Sequence, residues 1–444
     1  MRNPKLLAII IFLLTFSFWF FLSKGNYFHW DEWWFFTLFS KSPWQFLFNH
    51  YGEHFIPLNF LHHYILFSLF GLNYIPFQIS VSFFHAINTV LLFILIYQKT
   101  QRRFLAIIIS LLFGLANVPI ENLVWSLGVN YVLAGLMIFL AYYLFLRKKI
   151  FLSALLLIIS PLFHDITLLF PLAFLILSLK HKKSWVTFAL ALIFNLALVY
   201  FISGPSLTAN VPKDFFLFWK IPLFVFQGII YGTILKFLVP HFYVARPFLP
   251  FVRFFVVIVL VLGYFLRGRK IFSLRKSLVS PLYFAPFLIC AYLAAAPARL
   301  AFGPGASAIS RYSYIPLFFL ALFIAEIWPR QNFIPRWLTL FILFIFLPIQ
   351  ILASINFSYS YWKPMVDRDR QFITDIKTLF DNSERVANYP VPGISEKISL
   401  SDFSYLLPKN SALKFVTPTT NETKNPITQE IYKKIINEYS RKFD

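Results

Sequence analysis

Long apolar segments separated by short polar connections run through most of the chain. Several approach the 20 residues that a helix needs to cross the hydrocarbon core of a bilayer. The pattern therefore predicts a polytopic helical membrane protein. The apolar segments are Leu6–Leu22, Leu58–Phe70, Pro76–Tyr97, Leu105–Ala116, Tyr131–Leu146, Ile150–Phe163, Ile166–Leu179, Trp185–Ile202, Ile221–Leu238, Phe251–Phe265, Leu278–Ala295, Tyr314–Ile327 and Leu338–Leu352.

Basic residues collect in the connections, as they do in cytoplasmic loops. Arg2 and Lys5 put the N-terminus inside. If every basic cluster is cytoplasmic, Leu58–Phe70 and Ile221–Leu238 cannot both be ordinary spans, because each would turn a basic loop outward. We expect both to be re-entrant or interfacial; the first would measure only about 20 Å as a helix. Eleven spans remain in a multi-pass plasma-membrane protein whose C-terminus is outside.

The amino-acid composition supports a membrane protein and argues against a soluble, nucleic-acid-binding or disulfide-rich protein. Hydrophobic residues make up 59% of the chain and charged residues 13%, about half the charge of an average soluble domain. The net charge of +22 suggests nucleic acid at first, but the basic residues lie between spans as orientation signals, so we expect no nucleic-acid partner. The single Cys290 excludes a disulfide framework.

The composition changes at about Asn356. Eleven of the 18 acidic residues follow this point. We therefore divide the chain into a transmembrane catalytic domain, residues 1–355 with an external loop at 23–57, and a small extracytoplasmic α/β module, residues 356–444. The elements predicted in the module are an amphipathic helix Lys363–Leu379, strands Arg385–Val391 and Ala412–Val416, and a helix Gln429–Tyr439.

Carboxylates are rare before Ser354, and two of them are adjacent. Asp31 and Glu32 stand between His29 and a run of aromatic residues directly after the first apolar segment. A carboxylate at a membrane boundary has reduced hydration, which raises its pKa and suits it to act as a general base. A solvated loop acid beside an aromatic belt is the alternative. The aromatic stretch Trp33–Phe48 is predicted to form short helices on the membrane surface.

On the predicted topology, further polar candidates reach the same outer side. Arg311 is flanked by tyrosines and suits bidentate binding of a lipid phosphate; an interfacial arginine extending toward water is the alternative. Ionisable groups at membrane depth are functional candidates. The remaining active-site candidates are His29, Glu53, His54, Glu121, Trp125, His164, Asp165, Tyr312 and Tyr314.

A metal is not required by these residues. His50-x-x-Glu53-His54 has the spacing of an inverted zinc-protease motif, but Gly52 and the nearby Pro57 interrupt the helix that this chemistry needs. A divalent ion on His29, Asp31 or His54 is the remaining alternative, and the sequence offers no further support for it.

Several short motifs, taken in order, resemble the type-C glycosyltransferase superfamily, and most closely protein O-mannosyltransferase-like membrane enzymes. The resemblance covers about residues 1–355. Its motifs are Asp31-Glu32, Pro57-Leu58, His85-x-x-Asn88, the loop with Pro119, Glu121 and Trp125, and Arg311-Tyr312-x-Tyr314-x-Pro316. The chain departs from the pattern at Ile56, where a basic residue is common, and at His164-Asp165, where a Lys-Glu pair is common. It also lacks tetratricopeptide repeats.

The resemblance implies an inverting transferase that moves a sugar from a polyprenyl-phosphate donor to a hydroxyl of a protein, glycan or lipid. Asp31 would be the general base, helped by Glu32, while Arg311, Tyr312, Tyr314 and His54 would bind the donor phosphate. No cofactor is implied. A transporter or flippase of lipid-linked sugars and a non-catalytic scaffold of the same fold are the alternatives.

Overall fold

Helices dominate the computed structural model of the chain. It describes residues 3–29, 31–41, 47, 54–179, 182–203, 219–240, 279–299, 303–327, 342–382, 385–387, 399–407 and 414–416. The α-helices are Pro4–Ser23, Asp31–Lys41, Pro57–Phe70, Tyr74–Thr100, Arg103–Gly114, Ile120–Val124, Val129–Leu146, Ile150–Ile159, Phe170–Leu177, Lys182–Ser203, Ile221–Gln227, Lys236–Leu238, Val279–Arg299, Tyr314–Ile327, Leu347–Phe357, Lys363–Asn382 and Leu400–Phe403.

Several of these helices are extended by 3₁₀ turns, which are tighter than an α-helix, or by π segments, which are wider. The 3₁₀ turns place loop residues next to the helix ends, whereas the π segments lie within longer continuous helices. The 3₁₀ turns are Ser126–Gly128, Ser160–Leu162, Asp165–Thr167, Pro304–Ala308 and Ser310–Ser313, and the π segments are Gly228–Leu235, Ile342–Phe346 and Ser358–Trp362.

Five helices among the described residues are long and apolar enough to cross a membrane. This agrees with the expectation of an all-α membrane protein in a lipid bilayer, whereas the predicted number of eleven spans stays a prediction. The five are Pro4–Ser23, Tyr74–Thr100, Ser126–Leu146, Ile221–Leu238 and Ile342–Asn382.

The helix at Ile221–Leu238 is continuous for 18 residues. Its π segment Gly228–Leu235 packs against Tyr292, and a Cβ at Gly228 would lie 2.2 Å from Cδ1 of that ring. Glycine is therefore required for this close approach. The expected re-entrant character of this segment finds no support in its length, since 18 residues suffice for a span.

Contacts divide the chain into two compact units. The first unit comprises residues 1–24, 50–59 and 78–360, and the second comprises residues 25–49, 60–77 and 361–444. The predicted functional domains 1–355 and 356–444 stay a prediction. The segment with the acid pair belongs with the C-terminal residues in one unit, not with the first apolar helix.

The interior of the first unit contains a polar network built on the His-x-x-Asn motif. His85 Nδ1 lies 2.9 Å from the Tyr314 hydroxyl, and Asn88 Nδ2 donates to the same oxygen at 2.9 Å. His85 Nε2 lies 3.0 Å from the Gly114 carbonyl oxygen, which also accepts a bond from Trp19. Because buried polar groups need partners, this network holds four helices in register.

Aromatic side chains form the core of the second unit. Phe28 is fully buried, and its ring centroid lies 4.7 Å from Phe36, 5.3 Å from Tyr74 and 5.1 Å from Phe77. The helix Asp31–Lys41 therefore buries Trp33 and most of its phenylalanines inside the unit. The expectation that its aromatic residues lie on the membrane surface is corrected, because these rings find partners in the unit's own core.

The C-terminal residues contain a helix and two short strands. The helix Lys363–Asn382 confirms the predicted amphipathic helix. Strand Arg385–Ala387 pairs in parallel with Lys414–Val416, with Val386 opposite Phe415, inside the two ranges predicted as strands. The helix expected at 429–439 lies outside the described residues, and a complete α/β module stays a prediction.

Candidate functional site

Two histidines and an aspartate meet in the first unit, although they come from distant parts of the chain. His54 Nδ1 donates to Oδ2 of Asp165 at 2.7 Å. His164 Nδ1 lies 2.9 Å from the other oxygen, Oδ1, of the same carboxylate. The sequence predicted all three as candidates, and the structure brings them together.

Arg299 determines the protonation pattern of His54. Its guanidinium Nη2 lies 3.1 Å from His54 Nε2. Arginine can only donate a hydrogen bond, so Nε2 is the acceptor and the single ring proton sits on Nδ1, facing Asp165. A chain of donors thus runs from the guanidinium through the imidazole to the carboxylate.

His164 is held by the turn that carries it. Its backbone is extended at φ −161°, Ile166 N–H donates to its Nδ1 at 3.1 Å, and Thr167 Oγ1 donates to its carbonyl oxygen at 2.9 Å. The Tyr131 ring lies 4.0 Å away, centroid to centroid. Burial lowers the pKa of His164, and the neighbouring Asp165 acts in the opposite direction.

The Asp165 carboxylate is stabilised in its charged form. Burial by itself would raise the pKa of Asp165, but His54 and His164 hold that pKa well below its usual range. Charge neighbours and hydrogen bonds to the ionised form thus win over desolvation. The carboxylate is therefore a fixed negative anchor for its partners.

A second arginine comes from the Arg-Tyr-x-Tyr motif, on the 3₁₀ turn Ser310–Ser313. Asn122 Nδ2 donates to the Arg311 carbonyl oxygen at 2.9 Å, and the Glu121 backbone N–H donates to Ser310 Oγ at 3.4 Å. The guanidinium of Arg311 lies 6.0 Å from the centre of the Trp125 ring, within cation–π range. The two predicted loops therefore pack on each other.

Tyr131 connects the two arginines. Its hydroxyl is within electrostatic reach of Arg299, Arg311 and Asp165, and its ring centroid lies 6.4 Å from that of Tyr312. These residues form a site that we call the guanidinium cluster: His54, Tyr131, His164, Asp165, Arg299, Arg311 and Tyr312. Two fixed positive charges and one carboxylate belong to the cluster, which suits it to an anion.

Tyr314 does not belong to this cluster. Its side chain is fully buried, and its hydroxyl bonds His85 and Asn88 in the interior network. Its predicted contact with the donor phosphate is therefore corrected. The second tyrosine of the motif stabilises the helix bundle, because its hydroxyl already has its partners.

The acid pair lies in the second unit, at the start of the helix Asp31–Lys41. A closed turn carries it: the His29 N–H donates to Glu32 Oε2 at 2.6 Å, and the Glu32 N–H donates to the His29 carbonyl oxygen at 3.2 Å. Glu32 is fully buried, whereas Asp31, inside the turn, is partly exposed. Glu32 thus fixes the turn, and Asp31 is the more exposed acid of the two.

His54, His164 and Asp165 are the one group in the described part of the chain with the composition and spacing of a metal site; their ligand atoms lie within 4.8 Å of one another. Their present bonds do not fit a cation. Arg299 occupies His54 Nε2, and the Ile166 N–H occupies His164 Nδ1. A guanidinium beside a metal ligand also repels the ion.

Sequence reasoning missed two residues of these sites. Arg299 ends an apolar helix, where an arginine usually serves the interface. Asp369, which bonds His29, is one of several acids on an amphipathic helix. The buried face of that helix was the available signal, since an acid on an apolar face needs a partner. Glu53 lies outside the described residues.

No protein-family model matches this chain, and comparison with curated proteins gives no match either.

Proposed function

We propose that this protein is an inverting membrane glycosyltransferase that moves a sugar from a polyprenyl-phosphate donor to an acceptor hydroxyl. The observation that carries the proposal is the guanidinium cluster, which gathers Arg299 and Arg311 with His54 and Tyr312 from separate segments. Apolar helices flank this cationic group, as a phosphate attached to a lipid would require. The motif order that resembles type-C glycosyltransferases supports the same reading.

The donor phosphate would take over a hydrogen bond that the protein now makes internally. In the cluster, Arg299 donates to a neutral imidazole nitrogen, His54 Nε2. A phosphate oxygen is a better acceptor, because charge-assisted hydrogen bonds are roughly twice as strong as neutral ones. Arg299 and Arg311 then neutralise the charge that develops as the sugar–phosphate bond breaks.

The acceptor hydroxyl is activated by Asp31. Its partial exposure and its position in a fixed turn suit a general base, whereas buried Glu32 maintains that turn. The base removes the hydroxyl proton, the oxygen attacks the anomeric carbon from the face opposite the phosphate, and the configuration inverts.

The reaction takes place on the extracytoplasmic side in this proposal, with the N-terminus inside, the C-terminal residues outside and eleven spans. The basic connections support this orientation by the positive-inside rule. A reporter fused at residue 444 tests it directly. Cytoplasmic reporter activity would overturn the eleven-span layout without bearing on the chemistry.

Purified protein with a polyprenyl-phosphate sugar and a hydroxyl acceptor tests the function. We expect sugar transfer by the wild type in detergent, where no compartments exist, and inverted configuration at the anomeric carbon. A transporter would instead move the donor across a vesicle membrane and transfer nothing, while a scaffold would do neither. Two matched variants accompany this assay. Arg311→Lys changes a residue of the cluster, and Lys99→Arg is its control, since Lys99 pairs with Glu326 outside the cluster.

A further inference from the structure

The second unit contains a histidine–carboxylate pair that the proposed mechanism does not use. His29 Nδ1 is hydrogen-bonded to Asp369 Oδ2, although 340 residues separate them in the chain. Only 12% of the His29 side chain and 10% of the Asp369 side chain is exposed. The Trp362 ring stands edge-on to the imidazole, with centroids 5.5 Å apart. The imidazole is therefore held in one orientation by a carboxylate and an indole.

The surroundings of this imidazole suit it to accept a proton. A carboxylate at Nδ1 accepts a hydrogen bond from the Nδ1–H, so the basic lone pair of the ring lies on Nε2. The charged side chains of the two neighbouring helices are Asp31, Glu32 and Lys41 on one, and Lys363, Asp367, Arg368, Asp369, Arg370, Asp375, Lys377 and Asp381 on the other.

The pair stands beside the proposed base. Two hydrogen bonds close the turn from His29 to Glu32, and Asp31 lies inside that turn. A free histidine binds a proton more tightly than a free carboxylate, with ordinary pKa values of about 6.5 and 3.9. Passing a proton from a carboxylic acid to an imidazole is therefore downhill for ordinary groups.

The His29–Asp369 pair is not needed to attach the helix Lys363–Asn382 to the segment that precedes the acid pair. The adjacent Arg370 already does so: its Nη2 donates to the carbonyl oxygens of Gly25 at 3.1 Å and Asn26 at 3.3 Å. Its guanidinium also lies 5.0 Å from the centre of the Tyr27 ring. Arg370 thus joins the helix to this segment independently of the His29–Asp369 pair, and its substitution provides a matched control.

We propose that His29, oriented by Asp369, is a second proton-transfer residue of the glycosyl transfer. The acceptor O–H bond breaks and its proton passes to Asp31, while the oxygen forms the bond to the anomeric carbon. The bond from that carbon to the phosphate breaks, and its electron pair leaves with the lipid phosphate. The proton then moves from Asp31 to His29 Nε2, which restores the carboxylate, and imidazolium releases it to water. Asp369 is a positioning residue that acts through His29.

Chemical rescue tests this role, which rests on the proposed transferase function. We expect His29→Ala to lower turnover by about 10²-fold, with donor affinity unchanged, and added imidazole to restore at least about a tenth of the wild-type rate. Asp31→Asn should not be rescued by imidazole. Asp369→Asn should lower turnover at unchanged donor affinity, and Arg370→Gln should leave turnover within about threefold of the wild type.

The possible failures are distinguishable. If the wild type transfers no sugar, the proposed function fails and this role with it. If the wild type is active, a folded His29→Ala that imidazole does not rescue overturns the proton-transfer role alone, as does an active His29→Gln. Equal losses in Asp369→Asn and Arg370→Gln would reduce the pair to a structural tie. His29→Gln retains the bulk of the ring and serves if His29→Ala does not fold.

Discussion

The two units each contain a histidine paired with an aspartate, and the third group beside each pair separates their chemistry. In the first unit, His54 bonds Asp165 and also accepts a hydrogen bond from Arg299. In the second unit, His29 bonds Asp369 and carries an indole and two further acids in its vicinity. In the first pair, the guanidinium donates to the imidazole, and an anion can replace the imidazole as its acceptor. In the second pair the carboxylate orients the ring at Nδ1, so the lone pair on Nε2 is the one that can take part in proton transfer.

The comparison teaches that a His–Asp pair has no fixed role. Asp165 accepts a hydrogen bond from His54 and lies against the ring of His164, so this carboxylate holds the site together. A carboxylate that serves one histidine, as Asp369 does among the described contacts, tunes that ring instead.

The largest effect should come from Asp31. Asp31→Asn keeps the shape and removes the base, so turnover should fall by about 10²–10⁴-fold while donor affinity stays unchanged. Asp31→Glu keeps the base but displaces it by one methylene, and we expect a smaller loss. Steady-state transfer assays with saturating donor measure both. Full transfer by Asp31→Asn would contradict the assignment and move the role to Glu32 or Glu121.

The next effect should fall on donor binding. Arg299→Lys and Arg311→Lys keep the charge but lose the planar, bidentate geometry, so each should weaken binding by about 1–3 kcal/mol. Equilibrium binding of polyprenyl phosphate measures the change. Arg370→Lys in the second unit is the control and should bind the lipid as the wild type does. Unchanged affinity in both cluster variants would reduce these arginines to interfacial anchors.

A smaller effect separates the two members of the acid pair. Glu32→Gln still accepts the His29 N–H but loses the charge at the helix start, which should destabilise the second unit by about 0.5–1.5 kcal/mol. Because Asp31 is partly exposed, the Asp31→Asn variant should unfold at nearly the wild-type temperature. Thermal unfolding in detergent compares them. The reverse order of stabilities would show that Asp31, not Glu32, holds the turn.

The smallest effect should come from removing metals. The Arg299 charge and the occupied ring nitrogens oppose a cation at His54, His164 and Asp165. We therefore expect chelation and dialysis to leave transfer unchanged. A loss that one divalent metal restores at one ion per chain, and that His164→Gln abolishes, would reassign the cluster as a metal centre.

Much of the first unit was predictable because apolar length determines helices. The predicted segments Pro76–Tyr97 and Tyr131–Leu146 lie within the helices Tyr74–Thr100 and Val129–Leu146. Candidate residues such as His54 and Arg311 were predictable because ionisable groups are rare in apolar surroundings. Their convergence was not, since helix packing decides which loops meet.

The second unit was harder to predict from the sequence. Its core combines residues 25–49, 60–77 and 361–444, and no local pattern indicates that a C-terminal helix joins a loop near the start. Asp369 was missed for that reason: its partner His29 is 340 residues away. For Tyr314 the sequence suggested a functional role that the structure does not place there. The motif that was interpreted as phosphate-binding has one of its tyrosines inside the helix bundle.

Two matched variants, His54→Gln and His29→Gln, test the central claim that the two pairs divide the work. One experiment measures both donor dissociation constant and single-turnover transfer rate at saturating donor. We predict that His54→Gln changes the dissociation constant, because it alters the group that holds Arg299, and leaves the saturated rate within a few-fold of the wild type. His29→Gln should do the opposite, losing the saturated rate at unchanged donor affinity. If both variants change the same quantity, the distinction between an anion-binding pair and a proton-accepting pair is wrong.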